Sequence, residues 1–237
     1  MSDASVALLP RQMGLVRSVD AAANNIANAS TPGFKAEATV FAEHVVRAGR
    51  GTPSWSMGHL AGHATDFTPG GLDETGGPLD LAISGPGFFK VATPAGERLT
   101  RAGVFTMDVD GVIVDPNGHA LLDAGGGDIQ LPPDAVDVRI GRDGTISVDG
   151  EAFSDVGVYE PTGALSRAGS NLWAAAGDVP VEDPVVLQGV VERSNVSPVA
   201  AFTDLIAAQR HFEAGQTLAE HEHERLSALV AAIRQGR

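Results

Sequence analysis

Residues 197–237 read SPVAAFTDLIAAQRHFEAGQTLAEHEHERLSALVAAIRQGR, and this stretch decides the fold. Ser197-Pro198 starts a helix: the Ser hydroxyl can accept from the first free N–H groups, and Pro at the first helical position gives up nothing. No Pro follows, and Gly215 is the only Gly before the tail. Leu205, Phe212, Ala219, Leu226 and Ile233 recur every seven residues. A second column, Phe202, Gln209, Gln216, His223 and Val230, lies three residues before it and turns polar in its middle. That is heptad patterning. A helix over 198–234 would be roughly 55 Å long at about 1.5 Å per residue, too long for one small globule. Its seam asks for a partner helix. The blander alternative is an ordinary amphipathic helix lying on its own domain.

The other end of the chain has the same period. Leu9, Val16 and Ala23 repeat at seven residues, with Gln12, Val19 and Ile26 in the column three residues on. The spacing predicts a helix over 4–28, stopped by Asn28 to Gly33, where Asn tolerates the left-handed region and Pro32-Gly33 makes a turn. Neither heptad segment has a partner nearby in sequence. The ends therefore pair with each other or with neighbouring subunits.

Between them, residues 34–78 carry many Gly and Pro and read as an extended, loop-rich arm, with a helical turn or two around 36–48. From Leu79 to about Val191 short apolar runs alternate with the turn dipeptides Asp110-Gly111, Asn117-Gly118, Asp143-Gly144 and Asp149-Gly150. Each favours a tight hairpin with positive φ at both central positions, so this region is antiparallel β. The predicted class is α+β: a discontinuous, coiled-coil-like domain of paired N- and C-terminal helices plus a central antiparallel β domain. The expected divisions are 1–33, 34–78, 79–191 and 192–237.

The net charge of −14 argues against nucleic acid or an anionic membrane surface as partner. No apolar run reaches transmembrane length, so direct membrane insertion is not expected. The N-terminus lacks the pattern of a cleaved secretory signal. There is no cysteine, which excludes disulfides, thiolate metal sites and a Cys nucleophile. Asp108-Val109-Asp110-Gly111 opens like a calcium loop but lacks its later Gly and Glu. His59 and His63 lack the intervening Glu of a zinc protease. No nucleophile elbow or P-loop occurs. Neither a catalytic residue nor a cofactor or metal is expected.

Three stretches together resemble one family, the rod, hook and axial proteins of the bacterial flagellum. The first is ANNIANASTPGFK, residues 23–35. The second is PLDLAISGPGFFKV, residues 78–91, continued by TRAGVF at 100–105 and Asp108 to Gly111. The third is VERSNV, residues 191–196, followed by QRHFE at 209–213. The lead-in DFTPGGLDET, residues 66–75, is similar to proximal-rod members, whereas distal-rod members usually carry Gln-Gly there. A distal-rod or hook-type protein is the alternative within the family.

The resemblance implies a structural subunit, not an enzyme. Terminal helices would form an inner tube, with the β domain outside it. Its partners would be itself, other flagellar rod proteins and the flagellar type III export apparatus. Its location would be the periplasmic rod of the basal body, reached without a cleaved signal peptide. The implied seam residues are Leu9, Val16, Val19, Ile26, Leu205, Phe212, Leu226 and Ile233. Asn24, Asn25 and Asn28 would bond across packed helices or close the helix end. Pro32 and Gly33 would set the turn out of the tube, and Ser194 and Asn195 the re-entry. From another class, a soluble β-domain binding module with a helical dimerisation stalk fits the same residues, and so does an enzyme with a carboxylate site in the β domain.

Overall fold

A computed structural model describes residues 3–46, 55–132, 135 and 137–235. The class is α+β. Helix α1 spans Asp3–Ala27 and α2 spans Pro198–Gln235. The second helix begins where Ser-Pro predicts it: Ser197 C=O accepts from Ala201 N–H at 2.9 Å, and its Oγ from Ala200 N–H at 3.5 Å. The first runs through Pro10, which forfeits one intrahelical bond. Among the described residues, no helix is long and apolar enough to cross a membrane.

The chain divides into two compact units. The first gathers Met1–Ala29, Lys35–Phe67 and Val196–Arg237, and therefore holds both helices. It also holds an antiparallel hairpin of β1, Glu37–Val46, and β2, Trp55–Thr65. The sequence reading expected an extended, loop-rich arm there, with a helical turn or two around 36–48, where strand β1 stands instead. Gly58 and Gly62 made the second strand look like punctuation. Ladder bonds to β1 outweigh that local weakness, because strand preference depends on the partner more than on the residue. A bulge between Val40 and Phe41 absorbs the register shift.

The second unit, Ser30–Phe34 with Thr68–Asn195, is almost entirely β. Among the described residues its main sheet has nine strands. Phe88–Thr93 sits inside it, antiparallel to Gly96–Thr100, Ala120–Leu121 and Val158–Pro161. A separate three-stranded sheet joins Val138–Ile140, Thr145–Val148 and Glu151–Asp155. Alternation along Phe88–Thr93 sorts two cores. Phe89 and Val91 join Leu81, Ile113, Leu121 and Ile146 in the larger. Phe88 joins Leu99, Tyr159 and Trp173 in the smaller. Phe89 meets Phe105 edge to face, with centroids 5.5 Å apart.

Lys90 shares a face with Phe88. Its ammonium lies 3.7 Å from the Tyr159 ring centroid and pairs with Asp178 and Glu97. Burial works to lower its pKa, but the bonds and charges of those two carboxylates outweigh it, and the net shift is upward.

The turns differ from expectation in one respect. Only Asp149-Gly150 has positive φ at both positions, 52° and 91°. The others are organised by a carboxylate. Asp108 Oδ1 accepts from the N–H groups of Asp110 and Val112, and Asp115 Oδ1 from those of Asn117 and His119.

Candidate assembly site

Within the first unit, Val16 and Val19 of α1 line an apolar groove of about 320 Å³ with Gln209, Phe212 and Glu213 of α2. Gln12 Nε2 stands 3.4 Å from where a Cβ at Gly215 would lie. Val19, Ile26, Leu205 and Phe212 are half-buried. Ile233, at the end of the same column, is 72% exposed. The side chains of Leu9 and Leu226 lie outside the described residues.

The three asparagines act on α1 and on the hairpin. Asn28 Nδ2 donates to Asn24 O and Oδ1, both at 2.9 Å, and Asn28 N–H donates to Asn24 O at 3.1 Å, closing the helix end. Asn25 grips the backbone of Glu37 from both sides. Its Nδ2 donates to Glu37 C=O at 2.7 Å, and its Oδ1 accepts from Glu37 N–H at 2.9 Å. Glu37 Oε1 faces His63 Nδ1 at 3.2 Å across the two strands. Ser18 Oγ and Thr39 Oγ1, 2.9 Å apart, add a second tie between α1 and β1.

The connecting segments gather in the second unit. Gly33 has φ +65°, and its N–H donates to Glu192 C=O at 2.7 Å. Pro32 C=O accepts from Asn171 Nδ2 at 3.0 Å. Asn195 N–H donates to Phe34 C=O at 3.3 Å, and its Nδ2 donates to Thr68 C=O at 3.0 Å. Asn195 thus ties strands of chain together, while Ser197 caps α2. Ser194 is half-buried beside it.

Two residues that sequence reasoning quoted but gave no role lie at the centre of this region. Arg101 and Glu192 are 91 positions apart and form an ion pair at 3.3 Å with both side chains buried. Burial pushes the Arg101 guanidinium below its ordinary pKa, and the Glu192 charge pulls it back. It stays charged at neutral pH, as guanidinium does. No spacing signal predicts such a pair. The only clue is that a buried charge needs a partner.

A chain of terminal heptad helices and a central antiparallel β unit has the build of a flagellar axial protein. Three family models match it: "Flagella basal body rod protein" at residues 15–35, "Flagellar hook protein FlgE/F/G D1 domain" at 82–148, and "Flagellar basal body rod FlgEFG protein C-terminal" at 187–232. The chain is 38% identical over 226 residues to the flagellar basal-body rod protein FlgF of Caulobacter vibrioides, covering 90% of each chain. It is also 38% identical over 219 residues to FlgF of Mesorhizobium japonicum, again covering 90% of each. Against the rod protein FlgG of the same Caulobacter strain it is 33% identical over 228 residues, covering 82% of this chain and 86% of that one. The chain belongs to the flagellar basal-body rod protein family. It is a structural subunit of the rod, located at the flagellar basal body, and it is more similar to those F-type relatives than to the G-type one.

Proposed function

We propose that this chain is a proximal-rod subunit that polymerises through α1 and α2 into a hollow helical shaft, which transmits torque and passes exported proteins. The observation that carries this reading is the set of large apolar side chains left at the surface of the isolated chain along both helices. They are Met13 and Val16 on α1, and Val199, Phe202, Ile206, Leu218, Val230 and Ile233 on α2. Apolar side chains standing on several faces of the helices favour burial against more than one neighbour.

The two helices pair as an antiparallel, coiled-coil-like inner domain. In support, positions along the groove rise on α1 as they fall on α2: Gln12 lies near Gly215, and Val16 and Val19 lie with Gln209 and Phe212. α2 has 38 residues against 25 in α1, so its far end outlasts its partner and turns to neighbouring subunits. Pro32, Gly33, Ser194 and Asn195 hold the passages between helices and β unit. The partners are further copies, other rod proteins and the flagellar type III export apparatus. A chain without cysteine suits passage as an unfolded polymer through that apparatus.

Ile233→Asp tests the reading. The side chain is mostly exposed in the isolated chain, so melting of the purified variant should match wild type. In the assembled rod the carboxylate would be buried without a partner, at a cost of several kcal/mol. Cells carrying only this variant should lack rods past this subunit and should not swim. Normal swimming would sink the proposal.

A further inference from the structure

Three passages of chain converge on one buried residue, Glu192. Glu192 Oε1 accepts from Gly70 N–H at 2.9 Å, its Oε2 faces Arg101 Nη1 at 3.3 Å, and its C=O accepts from Gly33 N–H at 2.7 Å. Residues 31–34, 68–73 and 190–195 thus meet at a single residue. These passages are where the chain enters and leaves the β unit. The same Arg101 guanidinium donates to Ile83 C=O at 3.2 Å and to Gly85 C=O at 2.6 Å. Strand Leu81–Ile83 is fully buried in the larger core. One side chain therefore grips the core and the crossings at once.

The backbones here touch without room for side chains. A Cβ on Gly33 would stand 2.3 Å from the Arg101 carbonyl carbon, and one on Gly70 would stand 1.9 Å from Arg193 O. Arg193 N–H also donates to Gly71 C=O at 2.7 Å, and Leu72–Glu74 pairs with Val190–Glu192. For stability alone an apolar pair of the same volume would serve as well, because desolvating two ions offsets their attraction. What a forked guanidinium adds is directional definition.

We propose that the Arg101–Glu192 pair is a load-bearing clasp that positions the three crossing segments against the β core, so that force along the chain enters the β unit at one rigid point. The proposal rests on the reading of the chain as a torque-bearing rod subunit. Arg101 and Glu192 are positioning residues: they fix the backbone, and the backbone carries the load.

The test uses the purified full chain with Glu192→Gln and, separately, Arg101→Lys, followed by amide hydrogen exchange. The amides of Gly33, Gly70 and Arg193 should exchange about tenfold faster or more, while those of Leu122 and Ile113, which donate within the β core away from Arg101, keep wild-type rates. Exposed Asp137→Asn, which breaks the surface pair with Arg139, should change none of them. If one variant fails to fold, the other decides. Wild-type exchange at Gly33, Gly70 and Arg193 would overturn the clasp, and so would equal acceleration of the core amides, since a clasp acts locally.

Cells carrying either variant should assemble rods, swim in dilute medium and lose speed disproportionately as viscosity rises. Unaltered swimming at high viscosity, with the amides loosened, would overturn the load-bearing role and leave the rod reading intact. The rod reading fails separately if cells lacking the chain still swim.

Discussion

Gly33 is confined at the scale of single atoms. Its φ of +65° disfavours any side chain, and the Arg101 backbone occupies the space a Cβ would need. Gly33→Ala should therefore destabilise the β unit by about 2–4 kcal/mol, read as a lower denaturant midpoint with an unchanged slope. Asp115 is a second confined group. Burial works to raise its pKa, but the N–H groups of His119 and Asn117 and the His119 ring outweigh it, and the net shift is downward. A carboxylate with a depressed folded-state pKa contributes stability above its unfolded value, about 3.9, and loses it as pH falls through the folded value. Wild-type stability should thus fall as the pH drops below about 4. Asp115→Asn should flatten part of that fall while costing about 1–2 kcal/mol at neutral pH, measured by denaturant titration at both pH values.

At the scale of elements, the hairpin of β1 and β2 is the part that depends most on its neighbour. A lone two-stranded ribbon is marginal in water. Here it is tied to α1 by Asn25 on Glu37 and by Ser18 on Thr39. Asn25→Ala removes both Glu37 backbone bonds, at about 1–3 kcal/mol for the groups left behind. Proteolytic cleavage within 37–65 should quicken, while the melting of the β unit, followed by Trp173 fluorescence in a Trp55→Phe background, stays put. A shift in that melting would mean that Asn25 acts beyond its own element. Asn25 could be picked out from the sequence as a polar group near a helix end. Its target could not, because Glu37 is identified only once β1 exists.

At the scale of the whole molecule, the two units have different cores. The β unit buries large side chains such as Leu81, Phe89, Leu121 and Trp173 almost completely. The helices bury Leu15, Ala21, Ala22, Ala201 and Ala208, mostly small side chains, while the larger Val16, Val19, Ile26, Leu205, Phe212 and Ile233 are half-buried or exposed. Limited proteolysis of the unassembled chain should therefore leave a resistant fragment beginning near residue 68 and ending near 195. The sequence reading places the edge of the β region at Leu79. The earlier edge is expected because Leu72–Glu74 pairs with Val190–Glu192 and Gly70 donates to Glu192. A fragment starting at 79 would mean that this pairing opens in the free subunit.

The sequence by itself determined what local chemistry determines. The seven-residue repeat marks both helices, Ser197-Pro198 marks the start of α2, and Asn28 marks the end of α1. The Asp-Gly and Asn-Gly dipeptides place the turns, and the short apolar runs between them mark strands. Each signal lies within a few residues, so it survives without knowledge of the fold. Tertiary structure alone decided the rest. Trp55–Thr65 is a strand because β1 supplies its ladder, despite two interior glycines. Arg101 and Glu192 are buried together only because the β unit brings positions 91 apart to 3.3 Å. Asp73 and Val191 face one another only when the chain has returned to its own beginning. Pairing of strands and burial of charge are properties of partners, and partners distant in sequence leave no trace in local pattern.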